Sequence, residues 1–123
     1  MAKVLGIGGI FFKATDPKAV QDWYARVLGF EVTKWGGVKF PPTSVGSQVW
    51  SAFSEDTDHF APSSQPFMVN LIVDDLDGVL ERAREAGAEI LSRQDDAYGH
   101  FAWLMDPAGV KVELWQPVED AAP

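Results

Sequence analysis

The chain has 123 residues, with ten basic and eighteen acidic side chains and a formal net charge of −8. This length suits one domain, and the negative charge disfavours nucleic acid and anionic membranes as partners. The absence of cysteine excludes disulfides, thiolate catalysis and zinc–thiolate sites. No apolar run approaches the roughly 18 residues of a membrane span, and no signal peptide is visible, so we expect a cytoplasmic protein.

The first half of the chain predicts a strand, a helix and further strands. Apolar residues 4–14 predict the first strand, and Asp16-Pro17 is typical of a helix start. Gly29 is expected to end that helix in the left-handed conformation. Strands are predicted over residues 30–35 and 48–53, with loops broken by glycine and proline between them.

The second half repeats this order after a connector, residues 54–66, that is rich in serine, proline and acidic residues. An apolar helical stripe that ends at Gly87 follows its first strand. Asp106-Pro107-Ala108-Gly109 has the composition of a type I turn and predicts a closing hairpin. The strands are predicted over residues 67–73, 89–92, 99–105 and 110–116.

The two halves have equal spacing. The interval from Asp16 to Gly29 is thirteen residues, as is the interval from Asp74 to Gly87. An internal repeat of this kind predicts two similar modules, residues 4–53 and 67–117, within a single domain of residues 1–123. We expect the modules to enclose a shared groove.

Strand alternation assigns the predicted side chains to faces of the sheet. With a four-residue turn, one hairpin face is wholly apolar and is expected to pack against a helix; it comprises Phe101, Trp103, Met105, Val110, Val112 and Leu114. The opposite face is expected to line the groove; it comprises His100, Ala102, Leu104, Lys111, Glu113 and Trp115. By the same alternation the groove also receives Gly9, Phe11, Lys13, Met68, Asn70 and Ile72.

These features together resemble the vicinal oxygen chelate superfamily over about Val4 to Pro117. The resemblance is carried by the two modules, by the Asp16-Pro17 helix start, by Trp23-Tyr24 before Leu28-Gly29-Phe30, and by the segment from Asp106 to Trp115. It implies an α+β fold in which two βαβββ modules form a curved mixed sheet around a cleft, with helices outside. The superfamily includes glyoxalase I, extradiol dioxygenases, methylmalonyl-CoA epimerase, and fosfomycin and bleomycin resistance proteins.

Members with metal chemistry place ligands on four strands, and the resemblance maps these positions onto Gly9, Trp50, Met68 and Glu113. Of the four, only Glu113 is a competent ligand, whereas catalytic metal sites generally use about three protein ligands. We therefore predict no metal and no other cofactor. The alternative is a divalent metal such as Ni, Zn, Mn or Fe, held by substitute ligands.

One pair of titratable residues, His100 and Glu113, is a candidate for acid–base chemistry. His100 and Glu113 are predicted on the same face of the hairpin, where they could form an acid–base couple. The alternatives are a histidine at the rim that binds water, and a Glu113 that pairs with Lys13 or Lys111.

The connector holds Glu55, Asp56, Asp58 and His59, which superficially suggest a cation site. A calcium loop starting at Asp56 would need glycine and glutamate where the chain has Ala61 and Phe67. A solvated acidic loop is therefore the preferred interpretation.

The predicted function is the binding of a small organic molecule, planar or cationic, by a homodimer that resembles the bleomycin-resistance branch. The predicted ligand-binding residues are Phe11, Trp50, Met68, Asn70, His100, Glu113 and Trp115. The alternative is a metal-dependent or acid–base lyase or isomerase, with Glu113 and His100 catalytic. A third possibility is a regulatory partner domain in which the cleft has no role.

Overall fold

The computed structural model of the protein describes residues 2–28, 30–42 and 47–118. Within these residues the chain forms two helices and seven strands. The first module contains β1 (Val4–Ala14), α1 (Pro17–Leu28), β2 (Gly37–Lys39) and β3 (Val49–Ser54). The second contains β4 (Phe67–Val73), α2 (Leu76–Glu85), β5 (Glu89–Asp96), β6 (Gly99–Met105) and β7 (Lys111–Pro117).

All seven strands belong to one mixed sheet in the order β2-β3-β1-β4-β7-β6-β5. The two first strands, β1 and β4, pair antiparallel at the centre. Each first strand also pairs in parallel with the last strand of its own module, β1 with β3 and β4 with β7. The modules thus meet edge to edge, and the predicted α+β arrangement is confirmed.

Both helices pack on one face of the sheet, as the apolar patterns predict. On α1, the Tyr24 ring packs against Trp50 of β3 at an interplanar angle of 43°, with ring centroids 4.5 Å apart. Helix α2 begins after Asp75, whose side chain accepts a hydrogen bond from the Gly78 amide, and it buries Leu76 among residues of β4, β6 and β7. Gly87 follows the helix with φ +80°, as predicted, whereas Gly29 lies outside the described residues.

The strand predicted over residues 30–35 does not form. The Phe30 amide donates to the Tyr24 carbonyl at 3.2 Å, and Thr33 and Gly37 close a turn through an amide–carbonyl bond of 2.9 Å. The Phe30 ring packs edge-on against Trp50 at 5.3 Å. Because this turn uses the local backbone groups, the segment adds side chains to the α1 core without pairing in the sheet.

The predicted faces of β6 are wrong. The turn between β6 and β7 spans residues 106–110, because the Asp106 amide donates to the Val110 carbonyl, so Met105 pairs with Lys111 and Trp103 with Glu113. The predicted four-residue turn differs by one residue, and a one-residue slip moves every side chain to the opposite face. The side chains of Phe101 and Trp103 therefore lie on the face away from the helices.

The outer face of the central strand β1 is left uncovered between the helices. Ile7 pairs with Leu71, and Ile10 pairs with Trp50 and Val69. Both isoleucines are exposed although β1 is an interior strand, between β3 and β4. In the described part of the chain, neither helix has the length and apolar character needed to cross a membrane.

Candidate functional site

Two adjoining compartments lie on the sheet face opposite the helices. The larger has a volume of about 670 Å³ and is mainly apolar. The smaller has a volume of about 360 Å³ and is more polar. Phe101 and Glu113 line both compartments, so together they form one cleft with Glu113 at the junction.

Glu113 is a buried carboxylate, 6% exposed, that three strands hold in place. Register pairs it with Asn70 on β4 and with Trp103 on β6. Asn70 Nδ2 donates to Oε1 at 2.5 Å, and Trp103 Nε1 donates to Oε2 at 2.8 Å. Buried carboxylates need such charge-assisted bonds, and these two also fix the orientation of the carboxylate. Neither Lys13 nor Lys111 forms an ion pair with Glu113 in the described structure.

Asn70 has a buried acceptor without a partner. Its Oδ1 atom forms no hydrogen bond among the described residues, and it lies over Gly8, where an added Cβ would be only 1.9 Å away. The pairing of β1 with β4 is irregular between Ile7 and Gly9. The bulge and the missing side chain at Gly8 thus make room for the amide.

Aromatic rings form the walls of the larger compartment. Phe101 stacks between Trp103 and Trp115, with centroid distances of 6.2 and 6.0 Å and interplanar angles of 12° and 3°. Trp115 Nε1 donates to the Tyr98 carbonyl at 3.1 Å, which holds that indole in place. Other lining residues are Phe11, Thr33, Trp35, Lys39, Val49, Tyr98 and Asn70.

His59 lies beside Glu113 in the smaller compartment. Its imidazole stacks on Phe53 with a centroid distance of 5.4 Å and an interplanar angle of 2°, and its Nε2 atom is 3.7 Å from Glu113 Oε2. The neighbouring connector acids, such as Asp58, are exposed as predicted. Sequence reasoning placed His59 in the same solvated loop; the only signal against this was the adjacent Phe60, which is fully buried.

The predicted His100–Glu113 couple is wrong. His100 pairs in register with Gln116 and so shares the face of the helices. Its Nδ1 atom lies 2.5 Å from Asp95 Oδ1 in an exposed ion cluster that includes Arg93. Arg93 and His100 hydrogen-bond Asp95 and lower the pKa of its carboxyl group.

Of the other predicted ligand-binding residues, four line the larger compartment together: Phe11, Asn70, Glu113 and Trp115. The predicted cleft position of Trp50 is wrong, because its side chain packs under α1 with Val38 and Ala52. Met68 is 1% exposed and lies behind the cleft surface with Phe60. Phe101, Trp103 and His59 are cleft residues that sequence reasoning missed.

The residues present do not fit the metal site of the superfamily. At Gly9 a Cβ would lie 2.5 Å from the Val49 carbonyl oxygen, so this position leaves no space for a ligand side chain. No group of three or more histidine, aspartate or glutamate side chains suited to a metal occurs in residues 2–28, 30–42 and 47–118.

The comparisons with known proteins agree on the fold. A solved methylmalonyl-CoA epimerase, in complex with methylmalonyl-CoA and NH₄⁺, is 18% identical with a TM-score of 0.74, over 98% of this chain and 100% of that one. The epimerase from Mycobacterium tuberculosis is 18% identical with a TM-score of 0.65, over 94% and 89%.

A glyoxalase/bleomycin resistance protein/dioxygenase superfamily member from Vibrio splendidus 12B01 is 17% identical with a TM-score of 0.60, over 94% and 99%. Among curated proteins no sequence matches significantly. The sequence profile of the glyoxalase-like domain matches residues 9–115. This chain therefore belongs to the glyoxalase-like family of the vicinal oxygen chelate superfamily.

Proposed function

We propose that this protein binds a small organic molecule with a planar apolar body and a protonated nitrogen, without the metal of its superfamily. The observation that carries the proposal is the buried carboxylate of Glu113 at the base of an aromatic cleft. Glu113 supplies a negative charge there. Each of its oxygens accepts one N–H bond from the protein and keeps a second lone pair, which a ligand N–H group can occupy.

The rest of the larger compartment suits the same ligand. The stacked rings of Phe101 and Trp115 present flat surfaces, and aromatic faces attract both planar groups and cations. A compartment of about 670 Å³ lies within the range of small-molecule sites. The net charge of −8 would further raise the local concentration of a cationic ligand.

A matched probe series tests the preference for a cation. We expect 1-naphthylmethylammonium to bind about tenfold or more tightly than 1-naphthylmethanol. Calorimetry and tryptophan quenching would measure both affinities. Glu113→Gln removes the charge with little change in shape and should abolish the preference. Equal affinities of the wild type for the cation and the alcohol would contradict the proposal.

Two exposed tryptophans provide a matched control for the binding place. Trp35 is 59% exposed and lines the larger compartment, whereas Trp23 is 45% exposed and lies on α1, away from the cleft. Trp35→Ala should weaken binding of the cationic probe, and Trp23→Ala should not. Equal losses in the two variants would place the binding elsewhere.

An isomerase or lyase acting in the same cleft is the second candidate function. The observation that favours it is His59 Nε2 at 3.7 Å from Glu113 Oε2, since a carboxylate beside an imidazole is a common acid–base pair. Its test is the entry of solvent deuterium into methylmalonyl-CoA, followed by NMR. Incorporation that is absent from Glu113→Gln would favour the enzyme, and no incorporation would count against it for this substrate class.

We also propose that the protein is a homodimer that uses the outer face of β1. Ile7 and Ile10 are 57% and 62% exposed at the centre of the sheet, and exposed apolar patches mark interaction surfaces. The boundary between the two modules runs beside them, between β1 and β4. The same patch on two copies of the chain can form the self-complementary contact of a twofold dimer.

A further inference from the structure

We infer that the smaller compartment is a binding subsite for an organic carboxylate, anchored by the ammonium group of Lys111. The side chain lines this compartment with Ser92, Gln94 and Trp103.

Lys111 is a buried cation with unused donors. It is 9% exposed, and its Nζ atom donates one hydrogen bond, to the His59 carbonyl at 2.5 Å. It also lies 5.8 Å from the centroid of the Trp103 ring. Among the described residues no carboxylate lies within ion-pairing distance of Nζ. An ammonium group has three N–H donors, so two of them can be offered to a ligand.

The electrostatic balance points the same way. Burial lowers the pKa of Lys111, and the charges of Glu113 and Asp58 only partly offset this effect. A buried ion without a close counter-ion is costly, and a bound anion would reduce that cost. A bound anion would therefore supply the counter-ion that Nζ lacks among the described residues.

The neighbouring groups favour a singly charged carboxylate over phosphate. Ser92 can supply an O–H donor to an anion in this compartment. Gln94 Nε2 donates one N–H to Asp96 Oδ2 at 3.0 Å and keeps a second N–H. Asp96 and Glu113 also line it, and their negative charges would repel a doubly charged phosphate more strongly than a carboxylate.

Because Glu113 lines both compartments, one ligand can occupy both of them. This step rests on the proposed function. A single molecule that spans the two compartments would place its apolar body between the aromatic walls and its nitrogen at Glu113. Its carboxylate would reach Lys111. The ligand class is therefore an aromatic compound that carries both an amine and a carboxylate.

The experiment uses acetate, phenethylamine and L-phenylalanine as probes, the last two differing only in the carboxylate. In calorimetry at constant ionic strength, acetate should saturate the wild type and bind about tenfold or more weakly to Lys111→Met. Lys18→Met is the matched control, because Lys18 is exposed on α1 and pairs with Asp22. This control should bind acetate like the wild type.

The amine probes separate the inference from the proposed function. L-phenylalanine should bind the wild type more tightly than phenethylamine does, and Lys111→Met should lose this difference while it still binds phenethylamine. If phenethylamine fails to bind, the proposed function is wrong, and the acetate titration still tests Lys111. Acetate binding that is equal in Lys111→Met and the wild type, or that never saturates, would overturn the carboxylate subsite.

A second measurement covers the case in which Lys111→Met does not fold. In wild-type protein labelled with ¹³C-lysine, acetate should shift the ε-carbon resonance of Lys111 and leave that of Lys18 unchanged. Lys111→Arg keeps the positive charge and should retain acetate binding. Unchanged Lys111 resonances at saturating acetate would refute the inference without any variant.

Discussion

Gly8 lies under the amide of Asn70, where a bulge in β1 brings the backbone of one module against a side chain of the other. This contact positions the donor that holds Glu113. A glycine in a strand often marks such a close approach. From the sequence, Asn70 and Glu113 could be assigned to the cleft face, but their mutual bond depends on the register between β4 and β7.

Gly8→Ala should destabilise the fold through this contact. An added Cβ would lie 1.9 Å from Asn70 Oδ1, so the amide must move and its bond to Glu113 must break. We expect a loss of about 1–3 kcal/mol in the free energy of unfolding, because a buried charged acceptor loses its donor. Urea denaturation would measure it.

A double-mutant cycle with Asn70→Ala is the control for this prediction. Once the amide is gone, Gly8→Ala should cost less, and the remaining cost would come from Ile72, whose Cγ1 is 2.9 Å from the added Cβ. An unchanged cost in the Asn70→Ala background would show that the amide contact is not the cause.

At the scale of elements, the turn between β6 and β7 decides which aromatic residues form the cleft. Asp106 Oδ1 accepts hydrogen bonds from the amides of Ala108 at 2.8 Å and Val110 at 2.9 Å. These bonds stabilise a five-residue turn, which places Trp103 opposite Glu113. The turn composition was recognisable in the sequence, but the length of the turn was not. The same composition is compatible with a turn of four residues and with a turn of five.

Asp106→Ala should weaken both the turn and the ligand site. Two amides lose their acceptor, and we expect a loss of about 1–2 kcal/mol in the free energy of unfolding. Asp106→Asn keeps an acceptor oxygen and should cost less. Urea denaturation gives the stability, and tryptophan fluorescence reports the surroundings of Trp103. Equal effects of the two substitutions would show that the carboxyl oxygen does not support the turn.

The β5–α2 contact predicts a stability effect that depends on pH. Arg93 bonds to Asp95 and to Asp77, and the pKa of Asp95 is lowered. A depressed carboxyl pKa means that the pairing stabilises the fold above the ordinary aspartate pKa of about 4 and that this contribution is lost as the pH falls through the depressed value. The contribution is small, because the pair is exposed.

Arg93→Met should therefore lower the melting temperature slightly at pH 7 and have less effect at pH 2. Added salt should also reduce the difference at pH 7. Lys18→Met, which removes an exposed pair within α1, is the matched control for loss of one surface charge. A difference between Arg93→Met and the wild type that grows on acidification would contradict the assigned sign.

At the scale of the whole molecule, the proposed dimer has a direct test. Ile10→Lys should place a charge in the proposed interface and shift the protein towards monomer, as measured by light scattering with size-exclusion chromatography. Trp23→Lys is the control, because Trp23 is an exposed apolar residue on α1 and should leave the assembly unchanged. A wild-type protein that is monomeric at high micromolar concentration would contradict the proposal.

The fold was predictable from the sequence to the extent that its signals are local. Helical periodicity and the equal spacing from Asp16 to Gly29 and from Asp74 to Gly87 identified two modules. The strand expected over residues 30–35 failed, because apolar β-rich composition cannot show whether a strand partner is available. The prediction that Trp50 lines the cleft was wrong for a similar reason, because the face on which its side chain lies depends on how β3 pairs with β1.

The sequence by itself determined the elements, their order and their repetition, because caps, turns and periodicity act between near neighbours. The resemblance to the superfamily, read from the same sequence, assigned two of the metal-ligand positions to Gly9 and Met68, and this assignment stays a prediction. Only the tertiary structure decided which residues meet. Strand register and the length of one turn brought Trp103 against Glu113 and moved His100 to the other face. The packing of the connector placed His59 beside Glu113. Such placements depend on pairings between residues far apart in the chain, and a shift of one residue reverses them.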